Sequence, residues 1–341
     1  MSAEPKMARP LVSTVIPAYN CERYVAEAVE SVLSQSYQPQ EVIVVDDGST
    51  DGTRRVLESF GSAITVIHQK NAGEPAARNT GMRHARGEFI ACLDGDDLWV
   101  PGKLELQMNY FDEHPEVGLV YSDLTLFNES GVVQESVNAW LNLSAPSGYI
   151  FPRLFAETLF GSGTVVFRKA CLEKTGPFDE RFFVGSDYEM WLRMARFFQF
   201  GYVDRPLLKY RHHAAMATRG TGRILQDGMP WEARVITRTL ELYPEIRQEL
   251  GESTVRRRLA RPYYYLGCSW LDRGNHAEAR RMLARALHYR PLHLHSQLRY
   301  LATFLTPAQV SRAKNLYHRI SRRGASTKTK GNEESRAQAA G

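Results

Sequence analysis

Between Ala91 and Trp99 the chain reads ACLDGDDLW, placing three carboxylates, Asp94, Asp96 and Asp97, within four residues at the end of an apolar run. Two unit charges about 4 Å apart repel by roughly 4 kcal/mol at an effective dielectric near 20. Such a cluster is tolerated where water dissipates the charge or where a cation shares the site. A second acidic stretch, DDGSTDGT from Asp46 to Thr53, follows another apolar run. Three chemistries are open to the pair. A solvated loop accounts for one Asp-rich turn more easily than for two at corresponding places. A calcium loop needs D-x-[DN]-x-[DN]-G-x5-E with a bidentate Glu, and DDGSTDGT lacks that spacing. A divalent ion bound with a phosphate-bearing ligand needs few protein carboxylates, because phosphate oxygens and water complete its shell, and this reading suits two acidic strand ends best.

Carboxylates so far apart in sequence meet only if the scaffold brings their loops together. Leu11 to Ile16, Glu41 to Asp46, Ile64 to His68 and Glu88 to Asp94 read as strands, most of them continuously apolar. Helices are expected between them, one capped by Asn20 and carrying Val25, Val29, Val32 and Leu33, one with Val56, Leu57 and Phe60, and one of small residues from Gly73 to Ala85. Apolar strands alternating with helices are the pattern of a parallel sheet covered on both faces. Ligands in such sheets sit beyond the carboxyl ends of the strands, where both acidic clusters fall. Further on, a helix after Pro101, strands at Val117 to Phe127 and Gly163 to Arg168, a helix from Asp187 to Phe198 and a strand at Leu207 to Arg211 are expected, the first domain ending near Thr218.

The chain has 341 residues, enough for one large domain and a smaller one. Its four cysteines are far apart without CxxC spacing, which argues for reduced thiols, a cytosolic setting and no zinc site. No run approaches a membrane span, and the N-terminus lacks the apolar core of a signal peptide. The net charge of +5 is unevenly spread: residues 252–323 hold 15 Lys/Arg against 3 Asp/Glu, while residues 1–251 are net acidic. Nucleic-acid binding is therefore disfavoured. The segment from Tyr264 to Pro291 has Leu266, Gly267, Gly274, Ala279, Ala286 and Pro291 at the spacings of one tetratricopeptide-like hairpin, about residues 260–291. A solvated basic face and docking on an anionic membrane surface both remain open for residues 252–323, and SRAKNLYHRISRR, after LRYLATFL, has the character of an interfacial helix. Residues 1–10 and 324–341 are expected to be disordered.

GxGxxG after the first strand and GxxxxGK[ST] are both absent. VSTVIPAYN, VVDDGSTDGT, NAGEPAARNTG, ACLDGDDLW, GPFDE and GSDYEMWLR occur in that order, and together they closely resemble the family 2 glycosyltransferases over about residues 10–215. The resemblance implies an α/β GT-A fold, with a donor half at about 11–100 and an acceptor half at about 101–218, followed by a helical region at 219–323. It implies an inverting transferase that moves a sugar from a nucleotide-diphosphate sugar, UDP-linked by preference, to a hydroxyl on a saccharide or lipid-linked acceptor, usually with Mg²⁺ or Mn²⁺. By the same resemblance Pro17, Ala18 and Tyr19 line the nucleotide site, Asp47 accepts from the base, and Asp94, Gly95 and Asp96 match the DxD motif, with Gly95 letting the backbone approach the ligand. Asp96 or Asp97 touches the ion. Arg78 is a phosphate partner or a surface Arg, and His212, or its neighbour His213, is a metal-side candidate or a structural residue. Asp187 matches the general base, with an N-cap role also open to it, and Ser186 stands where many relatives have a second acid. Trp99 and Trp191 are either core or acceptor platform. A cytoplasmic or peripheral membrane enzyme is the expected setting. A non-catalytic nucleotide-binding scaffold on the same fold is the competing reading.

Overall fold

The computed structural model of the chain describes residues 9–141, 145–213, 225–226, 228–305 and 309. Contacts divide it into two units, Met1–Thr254 and Val255–Gly341.

In the first unit β1 (Val12–Ala18) is buried along its whole length and lies between parallel neighbours β2 (Gln40–Asp46) and β4 (Phe89–Cys92); β3 (Thr65–His68) extends the sheet beyond β2. Val, Ile and Ala dominate these strands because helices cover both faces. The covering helices α1 (Val25–Leu33), α2 (Thr53–Glu58) and α3 (Glu74–His84) fall where the sequence pattern places them. Asn20 does not cap α1. It sits in the left-handed region (φ 48°), and its side-chain oxygen accepts the Thr50 N–H at 2.8 Å, so it clamps the loop after β1 to the loop after β2.

The rest of the first unit adds β5 (Leu98–Trp99), α4 (Lys103–Glu113), β6 (Val117–Asn128), β7 (Gly131–Gln134), α5 (Val137–Trp140), α6 (Phe151–Ala156), β8 (Val166–Arg168), α7 (Cys171–Thr175), α8 (Ser186–Ala195) and β9 (Gln199–Arg211). The strand order is β3-β2-β1-β4-β8-β6-β9-β5, with β7 on β6. β8 runs antiparallel to both β4 and β6, whereas β9 runs parallel to β6. Two strands differ from expectation. β8 starts at Val166 because Ser162–Thr164 forms a tight 3-10 turn. β9 starts at Gln199 rather than Leu207, and register shifts beside Asp123 absorb Pro206, which has no N–H to give the ladder. Trp99 and Trp191 are core residues: the Trp99 indole donates to the Gly163 carbonyl at 3.0 Å, and Trp191 packs among Phe160, Phe167 and Phe178.

Thr218 lies outside the described residues, and the first unit continues beyond it to Thr254. The helix Trp231–Leu242 buries Ala233, Val235 and Ile236, and Trp231 meets Tyr188 of α8 edge to face at 6.2 Å. That helix therefore belongs to the first unit and not to a separate C-terminal region.

The second unit consists of the greater part of helix Glu252–Asp272, followed by His276–Tyr289 and Leu294–Ala302. The first two form the expected hairpin, its first helix starting before residue 260. Gly267 is needed for their close approach, since a Cβ there would lie 2.7 Å from Leu283 Cγ. Residues 311–323 and the tail from Gly324 are outside the described residues. All four cysteines are unpaired.

One buried polar group couples stability to pH. Lys103 on α4 is fully buried, donates to Gln107 Oε1 at 2.6 Å, and lies 4.2 Å from the centroid of the Trp99 ring. Burial pushes its pKa down to about 7. Above that value the native state has released a proton that the unfolded chain still holds, so stability rises with pH up to the ordinary lysine range. Urea denaturation of Lys103→Met and wild type, at pH 7 and at about pH 9, should show their stability difference moving by about 2 kcal/mol in favour of wild type. A pH-independent difference would mean that Lys103 keeps its proton.

Candidate functional site

β1, β2 and β4 run in parallel register, Ala18 opposite Asp46 and Val15 opposite Cys92, so the loops that follow them share one edge of the sheet. Pro17 and Ala18 are buried within β1, and only Tyr19 of that trio presents an exposed side chain, 48% of it accessible. Gly95 has a packing reason to be glycine: a Cβ would come within 3.0 Å of the Pro17 carbonyl and 3.2 Å of Cys21 Sγ. Its absence lets the acidic loop close down on the loop after β1.

Asp47 is buried, and both its oxygens accept protein donors. Oδ1 takes the Ala72 N–H at 2.9 Å and the Gln69 amide at 2.7 Å, and Oδ2 takes the Gly73 N–H at 2.8 Å. This carboxylate thus anchors the entry to α3, a role that residue type alone does not disclose.

α3 delivers Arg78. The helix lies so close to the sheet that a Cβ on Gly81 would be 2.4 Å from Val15 Cγ1, which explains its run of small residues. Arg78 is buried, its Nη2 2.5 Å from both Glu74 Oε1 and Asp94 Oδ1, with the guanidinium 5.4 Å from the Phe178 ring centroid. It is therefore not a surface arginine. Burial opposes its charge, but Glu74 and Asp94 hold its pKa raised. Its Nε is buried without a hydrogen-bond partner. Asn79, the next residue, bonds the Phe178 backbone in both directions at 2.9 Å and reaches Glu180, tying NAGEPAARNTG to GPFDE.

The acidic loop itself is divided in role. Asp97 is buried; its Oδ1 accepts the Arg211 N–H at 2.8 Å while its Oδ2 has no partner. Burial, then Asp96 and Asp94, pushes its pKa well above the carboxylate range. Asp96 is raised by burial and by Asp94, with His213 opposing. His213 Nε2 lies 2.9 Å from Asp96 Oδ2, and its ring packs 4.8 Å from that of Tyr24. Of the two histidines it is His213, not His212, that meets the acidic loop; the backbone N–H of His212 completes the ladder to Phe127 at 2.8 Å. Neighbours on an extended chain point to opposite faces. Among the described residues no three His, Cys, Asp or Glu side chains converge as metal ligands, and the Asp96–His213 pair offers two.

Asp187 stands in the first turn of α8, whose N-cap is Gly185, so it does not cap its own helix. Gly185 adopts φ 79°, and a Cβ there would strike the Trp231 ring at 2.3 Å, so only glycine fits this turn. Asp187 Oδ1 accepts the Tyr188 N–H at 2.7 Å, and Oδ2 accepts from the Ser162 hydroxyl at 3.2 Å. Asp187, Asp94 and Asp96 are all close enough to act on Glu74. Loss of hydration and those three carboxylates raise the Glu74 pKa, with Arg78 opposing, while 43% of its side chain stays accessible.

Glu74 and Arg211 were not singled out from the sequence. Glu74 directly follows a Gly at a helix start, where an acid usually serves only the helix dipole. Arg211 Nε donates to the Asp96 carbonyl at 2.8 Å and Nη2 to Glu27 at 2.7 Å, and its one signal is its place beside two histidines at a strand end.

With this geometry in place, likenesses to known proteins are informative. The family profile described as Glycosyl transferase family 2 matches residues 13–173. The UDP-Glc:alpha-D-GlcNAc-diphosphoundecaprenol beta-1,3-glucosyltransferase WfgD of Escherichia coli is 34% identical over 188 residues, 54% of this chain and 70% of WfgD. An uncharacterized glycosyltransferase of Rickettsia prowazekii (strain Madrid E), RP339, is 30% identical over 217 residues, covering 61% of this chain. The match spans 66% of that relative, just under two thirds of its length. Among solved structures, S. aureus TarS 1-349 in complex with UDP-GlcNAc superposes with a TM-score of 0.58 at 18% identity, over 86% of this chain and 89% of that one. The mannosyltransferase PcManGT from Pyrobaculum calidifontis, in complex with GDP-Man and Mn²⁺, gives 0.54 at 20% identity, over 87% and 86%. The structural likeness is one of fold, the GT-A arrangement followed by helices.

The anchoring role of Asp47 is testable by denaturation. Asp47→Asn replaces one acceptor oxygen with a donor that faces backbone N–H groups, and should cost about 2 kcal/mol of stability in urea titration. An unchanged midpoint would show that the entry to α3 does not depend on this carboxylate.

Proposed function

The chain belongs to glycosyl transferase family 2, and from that premise we propose that it transfers a sugar, with inversion, from a UDP-linked donor to a hydroxyl of a saccharide or lipid-linked acceptor in cell-surface glycan synthesis. The observation that carries this reading is the gathering of Asp94, Asp96 and Asp187 around Glu74 and the buried Arg78 at the carboxyl edge of the sheet. A structural loop has no need of such crowding, whereas a site that takes a cation together with a diphosphate, beside a proton acceptor, does. The printed activity of WfgD, glucosyl transfer to a diphosphoundecaprenol-linked sugar, supports a lipid-linked acceptor.

In this mechanism Asp187 is the base. Ser162 and the Tyr188 N–H fix its carboxylate, so an acceptor hydroxyl placed against it gives up its proton as its oxygen attacks the anomeric carbon. The nucleoside diphosphate departs from the opposite face with the electron pair of the broken bond. Arg78, held by Asp94, would be the cation that offsets the charge left on the diphosphate. Tyr19, exposed beside β1, offers the base an aromatic surface.

The donor set also fits a divalent ion. One carboxylate and one imidazole, Asp96 and His213, would leave most of the shell to diphosphate oxygens and water. An imidazole suits Mn²⁺ better than Mg²⁺, which prefers oxygen ligands. When bound, such an ion supplies Lewis-acid stabilisation of the departing diphosphate. His213 takes the place in this proposal that His212 held on sequence grounds.

Calorimetry of UDP, GDP and dTDP with and without Mn²⁺ tests the donor site. Binding of UDP that strengthens with Mn²⁺, and weakens about tenfold or more in Asp96→Ala, is expected; binding of none of the three by folded protein would overturn the assignment. The Asp187→Asn variant tests the chemistry. It should bind the nucleotide as wild type does, yet lose about 10²–10⁴-fold in turnover of a UDP-sugar. Full turnover in that variant would remove Asp187 as base, and absence of turnover in wild type with any sugar would favour the scaffold reading.

A further inference from the structure

The helix Leu294–Ala302 of the second unit is amphipathic in the reverse of the usual sense. Its polar residue Ser296 is buried, as is Thr303 at its C-cap, where the Thr303 carbonyl takes hydrogen bonds from Arg280 at 3.1 Å and from the His276 ring at 3.0 Å. Its leucines point the other way. Leu294, Leu298 and Leu301 recur at the spacing of one helix face and are 59%, 56% and 61% exposed, with Phe304 at 58% in the turn that follows and Leu292 at 92% in the turn before. Single exposed leucines are ordinary on protein surfaces. Five large apolar side chains in 13 consecutive residues, on an element whose polar side is the one turned inward, form a patch that calls for an occupant.

Charge identifies that occupant. Residues 255–305 contain ten arginines against Asp272 and Glu278 alone, with Arg290, His293, His295 and Arg299 beside or among the leucines. The sequence continues in the same sense, residues 310–323 adding five basic residues and no acidic one. A second copy of the chain packed on this face about a two-fold axis would bring Arg290 and Arg299 toward their own counterparts. An anionic lipid surface instead accepts both properties at once, the leucines entering the acyl boundary while arginines meet the headgroups. No helix among the described residues is long and apolar enough to cross a membrane, so the helix would lie in the interface plane.

We propose that the Leu294–Ala302 helix, with Leu292 and Phe304, is an in-plane docking surface for anionic membrane. The proposal stands apart from sugar transfer, and its test requires no turnover. Co-sedimentation of the full chain with phosphatidylcholine vesicles, and with equimolar phosphatidylcholine and phosphatidylglycerol vesicles, should show binding to the second alone, weakening as salt is raised. The triple variant Leu294→Asn, Leu298→Asn, Leu301→Asn changes exposed positions, and its folding is checked by circular dichroism. It should lose about tenfold or more in vesicle affinity, whereas Val132→Asn with Val133→Asn, exposed apolar residues of β7, should bind as wild type does. Failure of wild type to bind anionic vesicles overturns the proposal, as does undiminished binding by the folded triple variant. If sedimentation velocity shows a dimer that the triple variant dissolves, with vesicle binding unchanged, a second copy is the occupant and the lipid proposal fails.

Discussion

Arg78 is the charge around which the candidate site is organised. Placing a guanidinium out of water is costly unless carboxylates hold it, and here Glu74 and Asp94 do so from two different segments of the chain. The converse holds as well, since Asp94, Asp96, Asp97, Asp187 and Glu74 would repel one another without a cation among them. That mutual need explains why α3 is built from Ala, Thr and Gly against the sheet: only a small-residue helix lies near enough to β1 to bring a buried arginine to the strand ends. Removing a carboxylate leaves Arg78 under-compensated, and removing Arg78 leaves the carboxylates so.

The later strands of the first unit close onto this centre through a second arginine. β9 runs beside β6 and delivers Arg211 and His213 to the acidic loop, the arginine binding the Asp97 carboxylate and the Asp96 carbonyl through its own backbone and side chain. Asp97 thereby ties β9 to the acidic loop through one oxygen, while Asp96 pairs with His213. Loss of hydration and mutual repulsion raise the pKa of both carboxylates, although 32% of the Asp96 side chain stays accessible.

Much of this was legible before any coordinates. The first parallel strands declare themselves through continuous apolar runs, and the two acidic clusters fall at strand ends by simple counting. What escaped had physical reasons. β9 is longer than expected because Gln199 to Arg205 mixes polar residues and Pro206 follows, a pattern that a register shift accommodates and periodicity does not reveal. Choosing between His212 and His213 requires knowing which face of an extended chain meets the loop, and a one-residue error inverts the answer. The acceptance of backbone N–H groups by Asp47, about 25 residues away in sequence, leaves no trace in residue type. The extent of the first unit was hidden because Trp231 finds its partner in a glycine turn at Gly185, and no local pattern links them.

The helix Leu294–Ala302 shows the same limit from the other side. Its sequence displays amphipathicity, and the usual inference assigns the leucines to the interior. Hydrogen bonding decided otherwise. Arg280 and His276 on the preceding helix both seek acceptors, and the Thr303 carbonyl, at the end of the helix where backbone oxygens lack intrahelical partners, supplies them. Turning that end and Ser296 inward satisfies these groups and leaves the leucines outside. An exposed apolar stripe is thus the consequence of a polar packing solution, and it persists only where an environment exists to receive it. In a unit this rich in arginine, an anionic interface is the environment that accepts the leucines and the charge together.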